Sequence, residues 1–113
     1  MTTSRKNQIN MIINIYATFP NLKTAKKIAS VLLKKRLIAC ANFFPIKSSY
    51  WWQGKIVNDQ EIAAIFKTKK ENWQKVKNEI KKLHPYKIPL IEGWKTESNL
   101  EYEKWVEREV KKI

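Results

Sequence analysis

The chain has 113 residues, of which 43% are hydrophobic and 12% aromatic; that is one domain with enough apolar side chains for a core, and it excludes global disorder. A single cysteine and a single histidine exclude an intrachain disulfide and a zinc-finger type of metal site within one chain. The formal net charge of +13 raises the question of a polyanionic partner.

Residues 1–8 read as a polar tail and 9–113 as one domain. No apolar segment with a small-residue cleavage site follows Arg5 and Lys6, and the apolar stretch from Ile9 to Phe19 is interrupted by Asn10 and Asn14 and too short to span a bilayer. With the lone thiol of Cys40, the expectation is a cytoplasmic protein, not associated with a membrane. Ile9, Met11, Ile13, Ile15 and Ala17 share one parity, the pattern of a strand. Pro20 ends it. Asn21 is a candidate N-cap for a helix in which Ala25, Ile28, Ala29 and Leu32 recur at helical spacing, closed by Lys34, Lys35 and Arg36.

From Leu37 to Trp52 the chain is rich in strand formers, with Pro45 calling for a bulge or an edge position. Gln53-Gly54 is a turn, and Lys55 to Thr68 returns as a second strand with Ile62, Ala64 and Phe66 on one face. The resulting hairpin is longer than the usual five or six residues per strand. Its far end would leave Tyr50, Trp51 and Trp52 and unpaired backbone groups bare, for which another subunit is the natural cover. Thr68 and Glu71 form a capping-box pattern before a stripe of Trp73, Val76, Ile80 and Leu83. His84-Pro85 stops that helix. Ile88 to Trp94 reads as a strand, Ser98 and Glu101 as a second capping box, and Tyr102, Trp105, Val106 and Val110 as the apolar side of a last helix. The order β-α-β-β-α-β-α is α+β: a ferredoxin-like βαββαβ sandwich with a long central hairpin and an extra C-terminal helix.

Two function classes fit poorly. The only glycines are Gly54 and Gly93, so no phosphate-cradling loop is encoded, and Cys40 and His84 stand on separate elements, which disfavours a nucleophile–base pair. RNA-recognition modules share the ferredoxin-like arrangement but need a glycine-containing aromatic motif that residues 60–67 lack, so no specific nucleic-acid partner is expected. The basic residues are mostly lysines scattered in short pairs, which composition bias alone would produce; nonspecific polyanion binding is the lesser reading.

Several pieces recur in a known order: Tyr16-Ala17-Thr18-Phe19-Pro20, Thr24-Ala25, Arg36-Leu37-Ile38-Ala39-Cys40-Ala41-Asn42, Ser49-Tyr50-Trp51-Trp52-Gln53-Gly54-Lys55, Lys67-Thr68, Leu83-His84-Pro85-Tyr86 and Tyr102 to Trp105. In these the chain closely resembles the CutA divalent-cation tolerance family across about residues 11–106. The resemblance implies a tight homotrimer built partly through the long hairpins, a link to copper or other divalent cations with none tightly bound, and no catalytic activity. The family's trimer is similar to that of the PII signalling proteins, which leaves open a second reading, a module binding a small anionic effector or a protein partner at subunit clefts.

For a metal, copper before zinc, the candidate ligands are His84, Cys40, Glu61 and Glu92. For an effector or interface cleft they are Tyr50, Trp51, Trp52, Lys67 and Tyr86. Each has a plainer reading: His84 as a helix-terminal side chain satisfying carbonyls, Cys40 as a small buried strand residue, Tyr50 to Trp52 as packing between subunits, Lys67 as a solvated lysine. The chain also departs from the family, carrying Gln53, Lys87 and Leu90 where acidic residues are common, so that anionic ligands are missing near His84.

Overall fold

The computed structural model of the protein describes residues 11–110. The expected tail, 1–8, and the first two residues of the expected first strand lie outside them. The elements are β1 (Ile12–Phe19), α1 (Leu22–Lys34), β2 (Cys40–Trp52), β3 (Lys55–Lys69), α2 (Trp73–Leu83), β4 (Ile91–Thr96) and α3 (Leu100–Glu109). The four strands form one antiparallel sheet in the order β2-β3-β1-β4, the expected ferredoxin-like arrangement. Strand alternation divides its residues between two faces. Ile13, Ile15, Ala17 and Phe19 of β1, with Ala64 and Phe66 of β3, pack under α1 and α2. Ile12, of the other parity, packs with Val106 and Val110 at the α3 end, alongside Tyr102 and Trp105.

The Asn21 carboxamide oxygen accepts the Thr24 N–H at 2.8 Å, starting α1 as its sequence indicates. The helix ends in a Schellman arrangement: the Arg36 N–H bonds to the Leu33 carbonyl and the Leu37 N–H to the Leu32 carbonyl, each at 3.0 Å. The left-handed position, usually glycine, is taken by Arg36 (φ 59°), whose guanidinium reaches the Glu109 carboxylate at 2.9 Å and the Glu109 carbonyl at 3.2 Å.

The hairpin runs in unbroken register from Cys40↔Lys67 to Trp52↔Lys55. Gln53 (φ 50°) and Gly54 (φ 78°) are both left-handed, which gives a two-residue turn whose twist matches the flanking strands. Pro45 sits opposite Ile62 without a bulge, because β2 is an edge strand and a missing N–H can face away from the ladder. With 13 and 15 residues at about 3.4 Å each, the ribbon exceeds 40 Å and accounts for most of the molecule's longest dimension, 56 Å.

Four local expectations are corrected. Thr68 does not cap α2: its hydroxyl donates to the Leu37 carbonyl at 2.7 Å, the Asn72 amide donates to the same carbonyl at 3.1 Å, and a 3₁₀ turn over Lys70–Asn72 leads into the helix. At α3 the box is displaced, with Asn99 as N-cap and the buried Glu103, not Glu101, accepting the Ser98 N–H at 3.4 Å. β4 begins at Ile91, after Pro89, and the last apolar residue of the α2 stripe, Leu83, is exposed.

Gly93 lies on β4 beneath the Trp73 ring. A Cβ there would stand 2.9 Å from Cζ3 of the indole and 3.3 Å from the Ile13 side chain. Gly93→Ala should therefore destabilise the fold by overpacking, by about 1–3 kcal/mol. Urea denaturation followed by tryptophan fluorescence measures this, and an unchanged midpoint contradicts the close Trp73 approach.

Candidate functional site

His84 follows α2 with extended backbone (φ −75°, ψ 137°), the conformation that Pro85 imposes on its predecessor. This turns the imidazole inward, where it is only 9% exposed and stacks on Phe19 at 4.9 Å between ring centres, with the Tyr86 ring tilted at 4.8 Å. Both nitrogens are engaged. Nε2 lies 2.7 Å from the Thr18 carbonyl, which can only accept, and Nδ1 lies 3.1 Å from the Tyr86 N–H, which can only donate. These partners assign the neutral tautomer with its proton on Nε2. The Thr18 carbonyl needs this donor because β1 continues past its last pairing with β4, Ala17↔Ile91. The ring thus supplies what a longer β4 would have supplied.

From Tyr86 the network continues. Its hydroxyl donates to Glu61 Oε2 at 2.7 Å, and Glu61 is buried on β3 one residue beyond the Phe19↔Ile62 pair. Burial and the Glu61 carboxylate together push the phenol far above its ordinary range. Burial likewise pushes the His84 imidazole down, against the opposing influence of the Thr18 carbonyl and Glu61. On the hairpin, the Tyr50 hydroxyl donates to Asp59 at 2.9 Å and is pushed up by that bond.

The structure joins only some of the candidate residues. His84, Tyr86 and Glu61 form one cluster. Cys40 opens β2 opposite Lys67, whose ammonium lies 3.4 Å from the Asn14 amide oxygen; these three residues form one row across β2, β3 and β1. That row is four β1 residues from Thr18, roughly 13 Å along the strand, so Cys40 and His84 of one chain cannot share a ligand. Cys40 instead neighbours Tyr102, whose phenol is pushed up to about 12 by burial and by the thiol. Glu92 is exposed on β4, opposite Tyr16. Trp51 (71% exposed) and Trp52 stand at the hairpin end. Among the described residues no three His, Cys, Asp or Glu side chains converge on a point. With both His84 nitrogens engaged, the residues of a single chain do not fit a closed copper or zinc site.

Sequence reasoning did not find Thr18, Asp59 or Tyr102. Asp59 was accessible in principle: counting outward from the Gln53-Gly54 turn sets it diagonally across from Tyr50. Thr18 and Tyr102 act through tertiary contacts that carry no local signal.

Residues 13–109 match the family described as CutA1 divalent ion tolerance protein. The divalent-cation tolerance protein CutA of Thermotoga maritima is 50% identical over 100 residues, covering 88% of this chain and 99% of that one. The crystal structure of CutA1 from Pyrococcus horikoshii superposes with a TM-score of 0.86 at 44% identity, covering 88% of this chain and 99% of that chain. The structure described as the periplasmic divalent cation tolerance protein CutA from Archaeoglobus fulgidus gives 0.86 at 43% identity, over 89% and 100% of the two chains.

Because His84 is the only histidine, its titration can be isolated. The unfolded ring takes up a proton near pH 6.5, whereas the folded ring, with its pKa depressed, resists until lower pH. The unfolded state therefore binds more protons as pH falls below about 6.5, and stability declines from there through the folded value before levelling off. In His84→Gln that slope should vanish, at a stability cost of about 1–3 kcal/mol for the Thr18 carbonyl and Tyr86 N–H left unsatisfied. Urea midpoints taken from about pH 7.5 to 5, above the carboxylate range, test it. A flat wild-type profile contradicts the buried neutral ring.

Proposed function

The chain belongs to the CutA1 divalent ion tolerance family, and we propose that it is a cytoplasmic, non-catalytic divalent-cation tolerance protein that works as a homotrimer and binds copper, or another divalent cation, weakly at its subunit boundaries. The observation that carries this reading is the outer half of the hairpin. Residues 55–60 of β3 and their partners on β2 have no layer over them among the described residues, while Trp51 and Ile56 are 71% and 60% exposed, with Tyr50 and Trp52 beside them. A bare apolar ribbon ending in an open edge strand is a cost for a free monomer and an asset in a symmetric assembly.

The geometry at His84 supports weak cation binding and the absence of catalysis. A metal at either nitrogen must displace the Thr18 carbonyl or the Tyr86 N–H, so ligation there forfeits a buried hydrogen bond. Glu61 already lies in the His84 cluster, and Cys40 and Glu92, which stand outside it, complete a coordination shell only from another subunit. The same engaged, neutral imidazole makes a poor general base. The lone thiol of Cys40 favours a reducing, cytoplasmic setting.

One observation favours the second reading, an anionic effector between subunits. An open cleft of about 490 Å³ lies between the start of α1 (Pro20–Leu22) and the hairpin residues Pro45–Lys47 and Gln60–Ile62. It offers the N-terminus of α1 and Lys47 to an anion, with Glu61 at its wall.

Light scattering at micromolar concentration should give three times the 13.5 kDa chain mass; a monomer removes the assembly from this proposal. Titration calorimetry of metal-free protein with copper(II) should show binding weaker than micromolar, less favourable than about −8 kcal/mol, and further weakened in His84→Gln. Equal affinities remove His84 from the ligand set. A nucleotide or carboxylate that raises the melting temperature where copper does not would transfer the function to the second reading.

A further inference from the structure

The lysines are not spread evenly over the molecule. α1 carries four lysines and no acidic residue. α2, beside it on the same sheet face, carries four lysines and one glutamate, Glu79. That glutamate is already neutralised by Lys35 at 2.7 Å and Lys82 at 3.4 Å, which hold its carboxyl below the usual range. α3 has the opposite character, with four glutamates among its ten residues. A bias in composition would enrich lysine on all three helices alike; the division by face is a property of the fold.

We infer that the α1–α2 layer is a docking surface for the phosphodiester backbone of double-stranded nucleic acid, engaged without reading base sequence. The chemistry of the layer selects this occupant. Its cations are ammonium groups, point charges suited to phosphate contacts; the one guanidinium at its edge, Arg36, is committed to Glu109. The one tryptophan of α1 and α2, Trp73, is half-buried with the Lys77 ammonium 5.5 Å above its ring, so it offers no platform for the unstacked bases of a single strand. A lipid surface would ask for exposed apolar side chains among the lysines, but the apolar stripes of both helices are largely turned into the core, and the exposed leucines stand only at helix ends, Leu22 and Leu33 at the two ends of α1 and Leu83 at the last position of α2. At 13 residues α1 is about 20 Å long, the span of about six phosphates along one strand. The surface is the outer face of the helices, away from the hairpin end, so a trimer joined through hairpins would present three such layers.

The test is fluorescence anisotropy with a labelled duplex of about 20 base pairs, longer than the layer, in salt from roughly 50 to 200 mM. Binding should be clear at the low end, and log Kd should rise linearly with log salt. Lys26→Gln with Lys75→Gln should weaken binding several-fold and reduce the salt slope by about one for each lysine in contact. Lys55→Gln with Lys104→Gln, which removes the same charge from the hairpin end and from α3, should leave both nearly unchanged. All four are exposed surface positions, and circular dichroism confirms that the variants are folded. The inference is overturned if the duplex does not bind at low salt, if the two double variants lose affinity equally, or if a single strand of the same length or vesicles containing phosphatidylserine bind more tightly than the duplex.

Discussion

β3 is shared by two partners of unequal length, and the rest of the molecule follows from that mismatch. It pairs with β2 from Lys55 to Lys67, 13 of its 15 residues, but with β1 only from Ile62 to Lys69. Where β1 backs it, both helices find an apolar floor and the core forms around Phe19 and Phe66, which meet edge to face. Beyond Ile62 the hairpin has one ladder and no third strand. A two-stranded ribbon is marginal in water, and this one is held in register by cross-strand polar bonds, Ser49 to Asn58 at 2.6 Å and Tyr50 to Asp59 at 2.9 Å, together with the tight turn at Gln53-Gly54. Those bonds fix the ribbon's geometry without burying its aromatic side chains.

The His84 cluster stands at the junction between the covered and the bare parts. It joins the end of β1 (Thr18 and Phe19), the exit of α2 and the first covered residues of β3 through Glu61. Every polar member has a partner, the condition under which a buried network rigidifies a fold instead of weakening it. This accounts for the character of the histidine. A residue type suited to metals and proton transfer is here neutral, stacked and bonded at both nitrogens, because the strand beside it ends before the Thr18 carbonyl is satisfied. The neighbouring Lys87 and Leu90, both exposed, leave the approach to the cluster without acidic groups.

Periodic features were legible in the sequence, and single contacts were not. The alternation of β1, the stripes of α1 and α2, the Asn21 cap and the hairpin turn rest on local rules, and the structure contains them. Neither capping box formed as spaced: Thr68 is drawn to a tertiary partner, the Leu37 carbonyl, because β3 ends against the α1–β2 connection, and Glu103, still a local partner of Ser98, takes the place that spacing gave to Glu101. The Schellman end of α1 lacked its usual glycine, so only the basic run announced it, while Arg36 tolerates the left-handed position with the Glu109 contacts as partial offset. Of the candidate site, Tyr86 and Glu61 join His84 from the α2–β4 connection and from β3, residues that sequence could name without placing. Cys40 was separated from them by register along β1, which only the strand pairing reveals.

Charge adds a cost that the core must offset. Lys23 and Lys27 on α1, and Lys77 and Lys81 on α2, stand four residues apart, a spacing at which like charges destabilise a helix by a few tenths of a kcal/mol per pair. The ion pairs nearby, Lys35–Glu79 and Arg36–Glu109, involve none of these four lysines, are partly exposed and are worth at most about 1 kcal/mol each. Neither helix would persist alone in water at this length. They persist because Ala25, Ile28, Ala29, Leu32, Val76 and Ile80 are buried on the sheet, where each larger side chain contributes about 1.5–3 kcal/mol. The apolar stripe therefore decides that these segments are helices, and it leaves the outward face free to carry a charge density that does nothing for the fold.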